Sequence, residues 1–179
     1  MHEDTLTEKK RRQENADKAR KAAGDWFSEE KWKKIEDGIY LSPNRPIGEK
    51  TNYHDELRDA QILRDLGDTV YLVPEQRSKP GRKYDAIVSG MKMEFKNVMG
   101  GNDALQKRFL ESRYQSPNVF INLEKSNLTH LQVMTALYGA RNSAKYPQKG
   151  AYNGGKIILK IKGEQELVYL KVDDLRLPQ

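Results

Sequence analysis

Two short runs of residues on either side of Ser89–Gly90 most strongly constrain how this chain folds. The runs YDAIVSG (84–90) and MKMEFKNV (91–98) are rich in strand-forming residues, and the Ser-Gly pair between them is typical of a turn. The apolar positions of the second run are Met91, Met93 and Phe95, and its charged positions are Lys92, Glu94 and Lys96. Because alternate side chains lie on opposite faces of a strand, the pattern predicts a β-hairpin with an apolar face and a charged face.

Helix and strand patterns on both sides of this hairpin predict a mixed α/β fold. Helical patterns cover 54–67, 103–114 and 126–142, where Gly67 ends the first helix and Ser126 or Asn127 caps the third. Strand patterns cover 69–73 and 118–123, and the runs at 156–163 and 166–172 predict a second hairpin. This order of elements is typical of helices around one mixed sheet and not of a doubly wound parallel fold.

The first 25 residues differ from the rest in composition, being mostly charged residues and alanine. We interpret residues 1–25 as a solvated helical extension or linker and residues 26–179 as the folded domain; the alternative is a nucleic-acid-binding arm. The i,i+3 spacing of Trp32 and Ile35 predicts a short helix capped by Ser28, followed by a turn-rich segment.

Composition excludes several classes of protein. The chain has no cysteine, so it has no disulfides, no Cys-ligated zinc or iron–sulfur centre and no thiol catalysis. No stretch approaches the ~20 apolar residues that span a bilayer, and the start lacks the apolar region of a secretory signal. The net charge of +6 permits a polyanionic partner.

The predicted hairpin carries a group of residues suited to metal-assisted chemistry. It places Asp85, at the start of its first strand, across from the region of Glu94 and Lys96. Mg²⁺ takes oxygen ligands, often one or two carboxylates with water and phosphate, and a bound metal lowers the pKa of water. Lys96 could orient that water or stabilise charge in the transition state. The alternative is an exposed strand whose cross-strand ion pair stabilises by only ~0.2–1 kcal/mol.

The preceding helix supplies a third carboxylate. Glu56 shares one helical face with Ala60 and Leu63, so this face should pack on the sheet, with Leu66 adding apolar surface. A carboxylate on a sheet-facing side is costly unless it is paired or bound to a metal. The alternative role for Glu56 is to stabilise the helix N-terminus, worth ~0.3–1 kcal/mol. The neighbouring Asp55 and Asp59 are expected on the solvated face.

A helix glutamate, a strand, a D…ExK hairpin, and then a helix and a strand resemble the PD-(D/E)XK nuclease superfamily. The run GDTVYLVPEQRSKPGRKYDAIVSGMKMEFKNV (67–98) more narrowly resembles the toxin nuclease domains of contact-dependent growth inhibition systems. Related domains occur on phage and mobile-element proteins. The resemblance covers residues 50–125, and it departs from the family pattern at Tyr84, where the family has proline before the aspartate.

The resemblance implies a restriction-endonuclease-like core, of α/β (α+β) class, with a mixed central sheet flanked by helices. It implies a divalent metal, Mg²⁺ or Mn²⁺, bound by Glu56, Asp85 and Glu94, with Lys96 as the catalytic lysine and Gln115 as a polar active-site residue. Zn²⁺ is used by some toxin members of the group, and in a chain without cysteine it would need carboxylate or histidine ligands.

Basic residues concentrate around the predicted site. Residues 76–113 hold nine basic side chains against four acidic ones. The candidates for nucleic-acid contacts are Arg77, Lys79, Arg82, Lys83, Lys107, Arg108 and Arg113. A second basic loop places Tyr146 and Tyr152 where they could stack on unpaired bases. The alternative for both loops is ordinary solvated chain.

These features favour a metal-dependent nuclease, with RNA (tRNA) preferred to DNA because of the resemblance to toxin domains. Such a toxin domain acts in the cytoplasm, is delivered into a target cell as part of a larger protein, and has an immunity protein as partner. The alternatives are a DNA endonuclease of a phage or mobile element, and a catalytically inactive nucleic-acid-binding module. The complete D…ExK set argues against an inactive module, because mere binding does not require the lysine.

Overall fold

The computed structural model describes residues 32–49, 51–74, 84–146, 152 and 154–177. It also describes residues 10, 11, 13, 14, 17 and 21, which are helical. The chain divides into two compact units, of which the first holds residues 1–77 and 84–92 and the second holds residues 78–83 and 93–179. The predicted helix cap Ser28 and the basic loop 75–83 lie outside the described residues. The predicted boundary near residue 26 stays a prediction.

From residue 32 onward, the described part of the first unit holds four strands and one helix. The strands are β1 (Lys33–Glu36), β2 (Ile39–Leu41), β3 (Val70–Leu72) and β4 (Ala86–Val88), and the helix is α1 (Tyr53–Asp65). β1 pairs antiparallel with β2, β2 pairs parallel with β3, and β3 pairs antiparallel with β4. Parallel neighbours need a crossover connection, and α1 supplies it between β2 and β3.

The segment around Trp32 and Ile35 forms strand β1, so the predicted short helix is wrong. Asp37 and Gly38 turn the chain back, with Gly38 at φ 78°, and β2 follows at once. β2 then pairs with β3, residue Ile39 opposite Val70. Tertiary pairing has overridden the local helical spacing, because two residues at i,i+3 are too weak a signal to outweigh a sheet.

Helix α1 ends as the sequence predicts. Gly67 has φ 93° and donates its N–H to the Arg64 carbonyl at 2.8 Å, while the Asp68 N–H reaches the Leu63 carbonyl at 3.2 Å. This is a Schellman ending, in which a glycine adopts the left-handed conformation that other residues avoid. The helix is thereby stopped just before β3.

The predicted buried face of α1 is confirmed, with additions. Glu56, Ala60 and Leu63 are all buried. Asp59 is also fully buried, so its predicted place on the solvated face is wrong; it lies three residues after Glu56 and therefore shares its side of the helix. Leu66 is 44% exposed and does not extend the apolar face, because it caps the helix end.

The turn at Ser89–Gly90 is confirmed. Both residues have positive φ, 46° and 88°, as a two-residue hairpin turn of type I′ requires. The Ser89 hydroxyl donates to Asp68 Oδ1 at 2.6 Å and accepts from the Thr69 N–H at 3.3 Å, so the turn is tied to the start of β3. The side chain of Ser89 thus stabilises the positive φ of its own residue through these two hydrogen bonds.

The described part of the second unit is built on the remaining strands, with two helices and a short 3₁₀ turn. The elements are β5 (Met91–Asn97, of which the unit holds the part from Met93), α2 (Asn102–Ser112), β6 (Asn118–Leu123), α3 (His130–Arg141), β7 (Lys156–Ile161), β8 (Val168–Lys171) and the turn Val172–Asp174. β5, β6 and β7 run parallel, and β8 returns antiparallel to β7, which confirms the second predicted hairpin. The core lies between these strands and the two helices, around Phe109, Ile121 and Leu137.

Helix α3 starts later than predicted and has a different cap. Thr129 accepts the Gln132 N–H on its hydroxyl, while the Gln132 side chain accepts the Thr129 N–H, which is a capping box. The predicted cap Ser126 instead donates to the Gly100 carbonyl at 2.8 Å. The T-x-x-Q signature at 129–132 could have been recognised in the sequence.

The predicted fold class is confirmed: the chain is mixed α+β, with parallel and antiparallel strands and helices packed on them. None of the helices in the described parts of the chain is long and apolar enough to cross a membrane.

Candidate active site

Strand β5 carries two of the predicted site residues, and it holds them in contact. Lys96 Nζ donates to Glu94 Oε1 at 2.6 Å. The side chain of Glu94 is 3% exposed and that of Lys96 is 12% exposed. Glu94 and Lys96 point to the same face because they are two residues apart on a strand, whereas Met93 and Phe95 are buried on the other.

The burial of Glu94 counts against an ordinary charged strand face. Residues on such a face are expected to be solvated, but only Lys92 of the three charged positions is exposed. A buried carboxylate is costly unless it is paired, and Lys96 supplies the pairing charge. The contact holds an acid and an amine together away from bulk water, where electrostatic stabilisation of a transition state is strongest.

Asp85 lies in the first unit, one residue before β4. Its backbone carbonyl accepts the Val73 N–H at 3.0 Å, which extends the β3–β4 pairing by one residue. Asp85 is partly exposed, so its carboxylate is placed at the end of a strand pair and not within the core.

Glu56 is held by a residue that the sequence did not single out. Its Oε2 forms an ion pair with Arg45 Nη2, and both side chains are almost fully buried. Arg45 Nη1 also donates to the Val73 carbonyl. Arg45 ends a turn formed by Ser42-Pro43-Asn44-Arg45, in which its N–H reaches the Ser42 carbonyl at 3.0 Å.

The signal for Arg45 in the sequence is faint. Proline and asparagine in the middle of a four-residue turn are common, and they show where the chain bends but not which side chain points inward. An arginine in a turn-rich segment is normally solvated. The pairing of β2 with β3, extended by the bond from the Ser42 N–H to the Leu72 carbonyl, brings this turn next to the sheet.

Gln115 lies just after α2, in the second unit, where its N–H donates to the Ser112 carbonyl at 3.0 Å. Its side chain is partly exposed. The position agrees with the end of a helix, and the role in a site stays a prediction.

Arg113 is fully buried and is therefore not available for contact with nucleic acid. Its guanidinium donates to the carbonyls of Pro117 and Gly154 at 3.3 and 3.2 Å and lies over the Phe109 ring. Burial lowers the pKa of Arg113, and contact with Tyr146 opposes that shift. Arg113 ties the end of α2 to the segments that lead into β6 and β7, and its role is internal.

Tyr146 is also wrongly predicted, because it is buried and not free to stack on bases. Its ring packs at 6.3 Å from Phe109 and lies 4.5 Å below the guanidinium of Arg141. Tyr152 is partly exposed, and its N–H donates to the Arg113 carbonyl at 2.7 Å.

Two of the predicted phosphate contacts lie on the surface of α2. Lys107 and Arg108 are exposed, and Arg108 forms an ion pair with Glu111 at 3.1 Å. The other four candidates belong to the loop outside the described residues: Arg77, Lys79, Arg82 and Lys83.

The predicted carboxylate ligands meet the needs of a hard divalent cation only in part. Among the residues that the structure describes, no three Asp, Glu or His side chains converge as a metal-holding group. Of the three predicted carboxylates, Glu56 is paired with Arg45 and Glu94 with Lys96, while Asp85 lies partly exposed at the end of a strand. Mg²⁺ commonly takes one or two carboxylates and completes its shell with water and substrate phosphate, so a single carboxylate is compatible with a metal site.

Comparison with known proteins finds likeness in structure alone. No protein-family model matches the sequence, and no curated protein matches it. A chain of the CdiA-CT/CdiI toxin and immunity complex from Burkholderia pseudomallei is similar, with a TM-score of 0.50 at 18% identity, over 73% of this chain and 98% of that one. At this identity the match shows a shared fold.

Proposed function

We propose that this chain is a metal-dependent nuclease of the PD-(D/E)XK type that hydrolyses phosphodiester bonds, with tRNA as its substrate. The observation that carries the proposal is the buried contact between Lys96 and Glu94 on β5. A surface strand has no need of such a pair, whereas a nuclease of this type needs a carboxylate and an amine side by side. The D…ExK spacing supports the same interpretation, and the shared fold supports a toxin domain.

The residues have separable roles in this proposal. Asp85 and Glu94 are proposed as ligands of Mg²⁺ or Mn²⁺ because the sequence resemblance implies them, and the metal would supply a Lewis acid and acidify bound water. Lys96 donates hydrogen bonds toward the attacking water and the phosphate oxygens, and its positive charge stabilises the charge that accumulates there. Gln115 contributes a polar contact, and Glu56 supports the site from α1. The exposed Lys107 and Arg108, with the basic residues of loop 75–83, bind backbone phosphates.

The toxin role rests on the similar structure. That structure is a toxin and immunity complex, and 98% of the matched chain is covered by this one. We infer that this chain acts in the cytoplasm of a target cell, after delivery as part of a larger protein. We also infer an immunity protein that binds it and blocks the site.

The experiment is cleavage of purified tRNA, duplex DNA and single-stranded DNA, each with Mg²⁺, Mn²⁺, Zn²⁺ or EDTA. We expect tRNA to be cut with Mg²⁺ or Mn²⁺ and EDTA to stop the reaction. Lys96→Met and Asp85→Asn should lower the rate by at least about 10³-fold, as loss of a principal stabilising group does. Lys92→Met, on the same strand but exposed, should cut at the wild-type rate.

The outcomes separate the alternatives. Cleavage of duplex DNA alone indicates a DNA endonuclease on the same site. Binding of nucleic acid without cleavage under any metal indicates an inactive binding module. Full activity of a folded Lys96→Met variant would remove the site assignment altogether, and circular dichroism of each variant shows that it is folded.

A further inference from the structure

Arg45 connects two parts of the first unit that both carry predicted site residues. On one side its guanidinium pairs with Glu56 of α1. On the other side it donates to the carbonyl of Val73, directly after β3. The Val73 N–H in turn donates to the carbonyl of Asp85 at 3.0 Å. A continuous set of contacts therefore runs from Glu56 through one guanidinium to the backbone of Asp85.

The position of Asp85 depends on the last backbone contact of the β3–β4 pair. The regular pairing ends with Leu72 opposite Ala86, and the bond from Val73 to Asp85 lies one residue beyond it. Ends of strand pairs open more readily than their centres. A buried donor on the Val73 carbonyl is well placed to keep this end closed.

We propose that Arg45 is a positioning residue of the nuclease site, acting through Glu56 and the Val73 backbone to fix Asp85. The inference rests on the proposed function. Arg45 does not itself meet the substrate, because its side chain is 2% exposed. Its contribution is to hold the ligand-bearing strand end at a fixed distance from α1 before any metal or nucleic acid binds.

The proposal requires an arginine and not merely a positive charge. A guanidinium presents several N–H groups in a rigid fork, so it can bind a carboxylate and a carbonyl in different directions at once. A lysine at the same place keeps the charge for Glu56 but is a compact ammonium on a flexible stem. Arg45→Lys therefore separates charge balance, which it preserves, from the link to Val73, which it loses.

The chain contains a matched control at the other end of α1. Arg64 also joins a carboxylate to a carbonyl, donating to Glu36 Oε2 at 3.0 Å and to the Asp37 carbonyl at 3.2 Å, and it pairs in addition with its neighbour Asp65 at 2.7 Å. None of these contacts leads to a proposed site residue. Arg64→Lys thus removes the same type of link within the same unit without touching Asp85.

The experiment measures two properties of the full chain for the wild type, Arg45→Lys and Arg64→Lys. The first is amide hydrogen exchange without metal, followed by NMR at Val73 and, as an internal reference, at Ser89, whose N–H closes the opposite end of the pair at 2.9 Å from the Thr69 carbonyl. The second is kcat, KM and the half-saturating Mn²⁺ concentration for cleavage of the substrate that the wild type cuts.

We expect Arg45→Lys to speed exchange at Val73 at least about ten-fold and to leave Ser89 unchanged. It should lower kcat or raise the half-saturating Mn²⁺ concentration about 10–100-fold, with KM for nucleic acid retained, as loss of a residue supporting a metal ligand does. Arg64→Lys should change neither property. Wild-type values for Arg45→Lys, or equal effects of both variants, would overturn the positioning role. A wild type that cuts no nucleic acid overturns the proposed function instead, and the role of Arg45 with it.

Discussion

Each unit buries a glutamate beside a basic side chain, but the two pairs are built differently. Arg45 and Glu56 come from a turn and a helix, and the chain must fold before they meet. Glu94 and Lys96 lie two residues apart on one strand, and strand geometry alone puts them on the same face. The first pair is a tertiary contact and the second is a local one.

The basic side chains of the two pairs also differ in how freely they can move. The side chain of Arg45 is 2% exposed and is held by Val73 as well as by Glu56, whereas that of Lys96 is 12% exposed on a flexible stem. A locked guanidinium suits a supporting role, and a lysine that can turn its amine toward an arriving phosphate suits chemistry. Breaking the Arg45–Glu56 pair, which joins distant segments, should therefore cost more stability than breaking the local Glu94–Lys96 pair.

The largest effect is expected for Glu56→Gln. Loss of this carboxylate removes the charge of Glu56 from beside the buried guanidinium of Arg45, and breaking one side of a buried pair costs about 3–5 kcal/mol. Chemical denaturation measures the loss. Asp55→Asn, at the exposed neighbouring position, should cost less than about 1 kcal/mol. Equal losses for the two variants would show that the Arg45 pair adds no stability.

The next effect concerns Arg113, the buried arginine of the second unit. Arg113→Met leaves the carbonyls of Pro117 and Gly154 without this donor, and an unsatisfied buried group costs ~1–3 kcal/mol. We expect a loss of about 2–3 kcal/mol in denaturation, while the exposed Arg108→Met should stay within about 0.5 kcal/mol. Nucleic-acid affinity should fall with Arg108→Met and not with Arg113→Met; the reverse order would restore Arg113 as a surface contact.

The same division explains how much the sequence could predict. The hairpin turn at Ser89–Gly90, the end of α1 at Gly67 and the shared face of Glu94 and Lys96 are all local, and each was predicted from residues close in the chain. Each depends on backbone geometry that a few neighbouring residues determine.

Tertiary contacts were out of reach of local patterns. Local patterns do not single out Arg45, and they place Arg113 and Tyr146 at the surface because basic side chains and aromatic residues in loops are usually solvated. Each is buried by segments distant in the sequence, as the bond from Arg113 to Gly154 shows. The spacing of Trp32 and Ile35 predicts a helix where β1 forms, because a local pattern does not show that β2, the partner of β1, is itself paired with the distant strand β3.

A smaller effect is expected for Glu94→Gln, which tests the local pair directly. The amide keeps an oxygen that can accept from Lys96, and the lysine can move its charge toward solvent. We expect a loss of about 1–2 kcal/mol, near the net value of a charged hydrogen bond. Denaturation beside Glu56→Gln gives the comparison, and a loss as large as that of Glu56→Gln would remove the distinction between the two pairs.

The smallest effect should come from the most local contact, the capping box of α3. Thr129→Ala removes the hydroxyl that accepts the Gln132 N–H, and loss of such a cap costs about 1 kcal/mol. Thr135→Ala is its match within the helix, since that hydroxyl only donates to the Leu131 carbonyl at 2.8 Å on an exposed face. Because alanine is the better helix former there, Thr135→Ala should be neutral or slightly stabilising in thermal denaturation. No loss for Thr129→Ala would mean that the start of α3 is fixed by packing of Val133 and Leu137 and not by its cap.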